Sequence, residues 1–109
     1  MASVEEFQQI DLRVGRVIEA APLPKARTPA YALRVDFGPL GVKRSSAQLT
    51  GLYGAEELVG RLVVAVVNFP PKRIGPFVSE VLVLGAYAEG GDVVLLRPDV
   101  DVPLGARIG

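Results

Sequence analysis

Two short stretches of this chain carry the side chains able to hold an anionic polymer. Val42-Lys43-Arg44-Ser45-Ser46-Ala47-Gln48 sets paired cations before two hydroxyls and an amide. Lys43 and Arg44 can neutralise phosphates, while Ser45, Ser46 and Gln48 can hydrogen-bond phosphate oxygens or base edges. The plain alternative is an exposed strand with solvated charges. The second stretch runs from Asn68 to Glu80, where Pro70, Pro71 and Pro76 stiffen a loop bearing Lys72, Arg73, Phe69 and Phe77. A pre-ordered loop loses less entropy on binding. Lys72 and Arg73 are expected to meet phosphates, with Asn68 and Ser79 as polar contacts at the two ends. Phe69 or Phe77 can stack a base or, with Ile74, line a pocket for an apolar peptide segment. As core or dimer-contact residues, the same side chains would do neither. Pro22 to Pro29 forms a third, proline-rich loop, in which Arg27 either extends a phosphate track or keeps an exposed loop hydrated.

Other chemistry is poorly provided for. With neither histidine nor cysteine, the chain has no thiolate nucleophile, no imidazole base and no Cys/His zinc site. Its carboxylates are dispersed, and no pair sits in an apolar setting. The expectation is a binding protein, not an enzyme, with no metal and no cofactor. Twelve basic residues balance twelve acidic ones, which argues against a generic polyanion binder. The balance is uneven along the chain, however. Between Arg13 and Arg44, Arg13, Arg16, Lys25, Arg27, Arg34, Lys43 and Arg44 face only Glu19 and Asp36.

The elements that must position these residues are mostly strands within a single domain, residues 1–109. Ser3-Val4-Glu5-Glu6 has the capping-box pattern and predicts a short helix through about Gln9, with Phe7 and Ile10 turned inward. Leu12 to Ala21 reads as a first strand, with Gly15 marking a bend or bulge. Tyr31 to Phe37 alternates cleanly, and Gly38-Pro39-Leu40-Gly41 turns it into a third strand from Val42 to Leu49. Ala55-Glu56-Glu57-Leu58 predicts a short helix ended by Gly60. Leu62 to Val67 is a β-branched run expected to be buried on both faces. Val78 to Tyr87 reads as one further apolar strand, Gly90-Gly91-Asp92 as a turn into Val93 to Leu96, and the proline-bearing tail as irregular. A short helix after the third strand predicts an all-β, five-stranded oligonucleotide/oligosaccharide-binding (OB) barrel with short terminal extensions. An SH3-like barrel or a small sandwich explains that helix less well. No apolar run approaches a membrane span and the N-terminus is acidic, so no membrane insertion and a cytoplasmic location are expected.

Asp11-Leu12-Arg13-Val14-Gly15-Arg16-Val17, Tyr53 with Glu56-Glu57-Leu58-Val59-Gly60, and Asn68, Lys72, Ser79 and Glu80 give the chain a specific resemblance. It resembles the tRNA-binding domain group, which includes the C-terminal domains of methionyl-tRNA synthetases. Pro29-Ala30-Tyr31, Lys43 to Gln48, Val64 to Ile74 and Ser79 to Gly85 are similar to free-standing, export-related chaperones within that group. The resemblance runs from about Phe7 to Gly109. It implies an OB fold, a homodimer, tRNA as partner, and a second activity of holding unfolded preproteins in apolar pockets. Thr28 replaces a common lysine, and Gly75-Pro76 alters the chemistry before Phe77.

Overall fold

The computed structural model describes all 109 residues, Met1 to Gly109. It is built around one long strand, β1 (Leu12–Pro22), with two antiparallel neighbours. Residues Leu12 to Arg16 pair with β4 (Leu62–Val66), and Arg16 to Pro22 pair with β2 (Tyr31–Asp36). A strand can serve two sides of a barrel in this way only if it coils sharply. β1 does so at Ile18, the extra residue where the register slips between Val17 and Glu19. The predicted bend is present, but Gly15 is not the bulge. Its role is clearance: a Cβ there would lie 2.6 Å from Val35 Cγ1 and 2.8 Å from the Phe37 ring. Gly15→Ala is therefore expected to lower the unfolding free energy by about 1–3 kcal/mol, read from the urea midpoint at unchanged m-value.

β2 keeps the alternation of its sequence. Tyr31, Leu33, Val35 and the following Phe37 are buried. A 3-10 turn (Gly38–Leu40) leads into β3 (Val42–Ala47), which ends two residues earlier than predicted. Helix α2 (Ala55–Leu58) follows, drives the fully buried Leu58 into the core, and is tied at its start by Gly54 N–H donating to Glu57 Oε1 (2.8 Å).

All five residues of β4 are buried, each face for its own reason. Val63 and Ala65 join Val17, Leu33, Val35, Phe37, Leu49 and Leu58 inside the barrel. Leu62, Val64 and Val66 join Leu12 and Val14 in a second cluster, covered by Ile10, Leu84 and the tail residues Val102, Leu104 and Ile108. The tail, irregular by sequence, is laid along β1 by hydrogen bonds from Val14 N–H to Ala106 O (3.0 Å), Gly105 N–H to Val14 O (2.7 Å) and Ile108 N–H to Leu12 O (2.9 Å).

The predicted strand from Val78 to Tyr87 is divided among three partners. β6 (Phe77–Ser79) forms a hairpin with β5 (Lys72–Ile74), β7 (Leu82–Val83) is the edge of the five-stranded sheet β3-β2-β1-β4-β7, and β8 (Gly85–Tyr87) pairs with β9 (Val93–Leu95). Between these pieces, Glu80 N–H and Val81 N–H both donate to Arg44 O (2.8 and 3.3 Å), and Ser46 N–H donates to Ser79 Oγ (3.0 Å). These bonds join β3 to the far edge and nearly close an antiparallel five-stranded barrel of OB type.

The N-terminal helix α1 (Val4–Gln8) has both bonds of its capping box, Glu6 N–H to Ser3 Oγ (3.2 Å) and Ser3 N–H to Glu6 Oε1 (3.0 Å). Ile10 packs on the second cluster as predicted, but Phe7 remains 42% exposed, because a five-residue helix has no buried face here. No helix is long and apolar enough to cross a membrane.

Candidate nucleic-acid interface

The loop between β1 and β2 and the β5–β6 hairpin face each other across a groove of about 380 Å³. The loop is pinned by buried Leu23 and Ala30, with Leu23 N–H donating to Ala30 O (2.9 Å). Lys25 is the one non-glycine residue with positive φ (64°), a conformation that costs a side-chain-bearing residue of order 1 kcal/mol. The hairpin pairs Lys72 with Ser79, Arg73 with Val78 and Ile74 with Phe77, and Gly75, at φ 58°, makes its turn. From one wall come Lys25 and Arg27, from the other Lys72 and Arg73, with Ser46 and Gln48 between them. The lining contains no carboxylate. All four cations are exposed, and none takes part in the molecule's three ion pairs, Arg13–Asp11, Arg34–Glu19 and Arg44–Glu80. Four unpaired charges of one sign in a concave surface focus a positive potential.

The residues singled out from the sequence separate into groups. Lys72, Arg73, Arg27, Ser46 and Gln48 converge on this groove. Arg44 does not: its Nε lies 3.4 Å from Glu80 Oε1, which also accepts the Arg44 N–H (3.0 Å), and its guanidinium sits 5.8 Å from the Phe77 ring centre. Lys43 lies opposite Val35 and shares the face of buried Ser45, so Lys43 and Arg44 leave β3 on opposite sides. Ser45 Oγ–H donates to Ser46 O (2.9 Å). Ser79 Oγ, besides accepting from Ser46, donates to Val81 O (3.2 Å). Asn68 is a clamp, its Oδ1 accepting Asp11 N–H (2.9 Å) and its Nδ2 donating to Gln9 O (2.8 Å). Asn68→Ala is accordingly expected to cost about 1 kcal/mol of stability, measured by urea denaturation. Lys25 is a member of the groove that sequence reasoning passed over. Its signal was present, since it shares a proline-stiffened loop with Arg27.

A second, larger cleft of about 790 Å³ adjoins the groove and shares Thr28, Ser46, Gln48 and Lys72 with it. Phe69, Leu82, Tyr87, Asp92 and Leu95 are among the residues lining it. The three apolar residues expected to form one pocket are parted: Phe69 lines this cleft, Ile74 the cationic groove, and Phe77 packs beside Arg44.

A family model described as "Putative tRNA binding domain" matches residues 12–107. The chain belongs to this tRNA-binding domain family. Among curated relatives, the domain is 42% identical over 106 residues to methionine–tRNA ligase of Thermococcus kodakarensis, covering 97% of this chain and 14% of the ligase. It therefore spans about one-seventh of the length of that relative. Among solved structures, the chaperone CsaA of Bacillus anthracis superposes with a TM-score of 0.95 at 54% identity, covering 100% of this chain and 99% of that one. CsaA of Picrophilus torridus superposes with a TM-score of 0.93 at 47% identity, with both chains fully covered. The domain thus has the resemblance expected from its sequence, both to the synthetase C-terminal domains and to the free-standing chaperones.

Proposed function

We propose that this domain binds tRNA through the groove between the β1–β2 loop and the β5–β6 hairpin, reading RNA backbone and shape. The observation that carries the reading is the convergence of Lys25, Arg27, Lys72 and Arg73 on a surface with no carboxylate. Phosphate contacts of this kind supply affinity through counterion release. OB barrels bind oligonucleotides with the loops after the first and fourth barrel strands, and the two walls of this groove are those segments. With few exposed rings the domain has no extended stacking platform, which favours recognition of shape over sequence. As a homodimer, in the manner its resemblance implies, it would join two grooves into one longer basic surface. A cytoplasmic location would give it access to tRNA.

The test is a titration of fluorescently labelled bulk tRNA against salt. Four phosphate contacts predict a log–log slope of about −3 to −4 and a loss of about a hundredfold in affinity between about 50 and 200 mM salt. No binding at low salt, or binding indifferent to salt, overturns the proposal.

A second reading is a chaperone that holds unfolded preproteins. It is supported by the similarity to CsaA and by the half-exposed Phe69 and Leu82 in the larger cleft. It predicts suppressed aggregation of a denatured client, nearly independent of salt and diminished by Leu82→Asp. Suppression that disappears with rising salt, or that survives this substitution, counts against it.

A further inference from the structure

We infer that the larger cleft takes an unpaired nucleotide of the same RNA, so that the domain distinguishes RNA with a single-stranded segment from closed duplex. The inference rests on reading the cationic groove as the phosphate track. It begins from continuity: Thr28, Ser46, Gln48 and Lys72 line both spaces, so a strand lying in the groove enters the cleft without leaving the surface.

The chemistry of the lining changes along that path. Charged groups in the groove are all cations, and the last of them, Lys72, stands where the two spaces meet. Beyond Lys72 the cleft holds two carboxylates. Glu80 is engaged with Arg44, whereas Asp92 takes part in no ion pair. A free carboxylate repels phosphate and accepts hydrogen bonds from base N–H groups. Guanine, which offers N1–H and an amino group on one edge, meets it best, and uracil, with a single ring N–H, meets it poorly. Gly51 leaves room for Asp92, because a Cβ at position 51 would collide with its carboxylate.

Aromatic surface is present on the scale of one or two bases. Phe69 is 42% exposed and Tyr87 is 83% exposed, and both line the cleft. At about 790 Å³ the cleft falls within the range of about 300–1,000 Å³ typical of sites that enclose a whole small molecule. An unfolded apolar peptide would also find apolar surface here, but it lacks the regularly repeated anion that matches the adjoining row of cations. A polynucleotide uses both.

The experiment compares a blunt RNA duplex with the same duplex carrying a short guanosine or uridine overhang, each titrated with the full chain. Blunt-duplex affinity reports the groove, and the difference made by an overhang reports the cleft. The guanosine overhang is expected to tighten binding about tenfold through stacking and edge contacts, and to exceed the uridine overhang by about fivefold. Tyr87→Ala should abolish most of the overhang gain, and Asp92→Ala the preference for guanosine. Neither should alter blunt-duplex affinity. Equal affinity for all three RNAs overturns the inference, as does an overhang gain that survives both substitutions. Failure of the blunt duplex to bind overturns the groove reading itself, and the inference falls with it. If overhangs make no difference while an unfolded apolar peptide binds and loses affinity in Tyr87→Ala, the cleft belongs to peptide and the inference is wrong.

Discussion

Replacing Lys72 and Arg73 together with glutamate is expected to weaken tRNA binding about a hundredfold at about 0.1 M salt. Each lost phosphate contact removes nearly one unit from the slope of log affinity against log salt, so the line should flatten by about two. Both side chains are exposed on the β5–β6 hairpin and neither holds an ion pair. The urea midpoint should therefore stay where it is, and reduced binding cannot be traced to unfolding. Lys43→Ala is the informative contrast. Lys43 is half-buried on β3 beside Val35, away from the groove, and its loss should change affinity by less than about threefold. If both variants bind equally well, or both lose equally, the positive charge acts diffusely and the groove has no special part.

Phe37→Ala carries the largest expected effect on the fold. Phe37 is among the largest fully buried side chains, and its ring fills the space left by the missing side chain of Gly15. Truncating a phenylalanine in such a core costs about 3–5 kcal/mol, the transfer term plus a cavity that rigid strands cannot collapse. Domains of this size are stable by only about 5–15 kcal/mol, so the variant should lose about a fifth of its stability at the least. Equilibrium urea denaturation measures this directly. A loss below about 1 kcal/mol would mean that β1 and β2 close over the gap and that the Gly15–Phe37 contact is not what sets their spacing.

The site was less legible than the strands. The motifs carry the family resemblance, and charge and proline content alone mark Lys72, Arg73 and Arg27. Arg44 carried the same kind of signal, yet Glu80, thirty-six positions away, takes it out of the groove. Asn68 and Ser79 flank a charged loop and fit the family resemblance. Their bonds to Asp11, Gln9, Ser46 and Val81 show polarity spent on joining distant parts of the chain. Nothing in the order of residues around them distinguishes that use from contact with a ligand.

What the sequence determined by itself was everything governed by neighbours in the chain. The alternation of Tyr31 to Phe37 marks a strand with one buried face, the run Leu62 to Val67 a strand buried on two, which the structure ends at Val66, and Ser3 with Glu6 a capped helix start. The absence of histidine and cysteine likewise removed whole classes of chemistry. Tertiary structure alone decided which of several apolar residues would share a partner, and which cations would share a space. The apolar run from Val78 to Tyr87 was divided because successive pieces meet β5, β4 and β9 in turn. Lys25 and Arg27 came to face Lys72 and Arg73 because barrel closure sets the two loops side by side. The physical reason is one of range. Backbone periodicity and capping act over a few residues, whereas a groove exists only once strands far apart in the chain have fixed the distance between its walls.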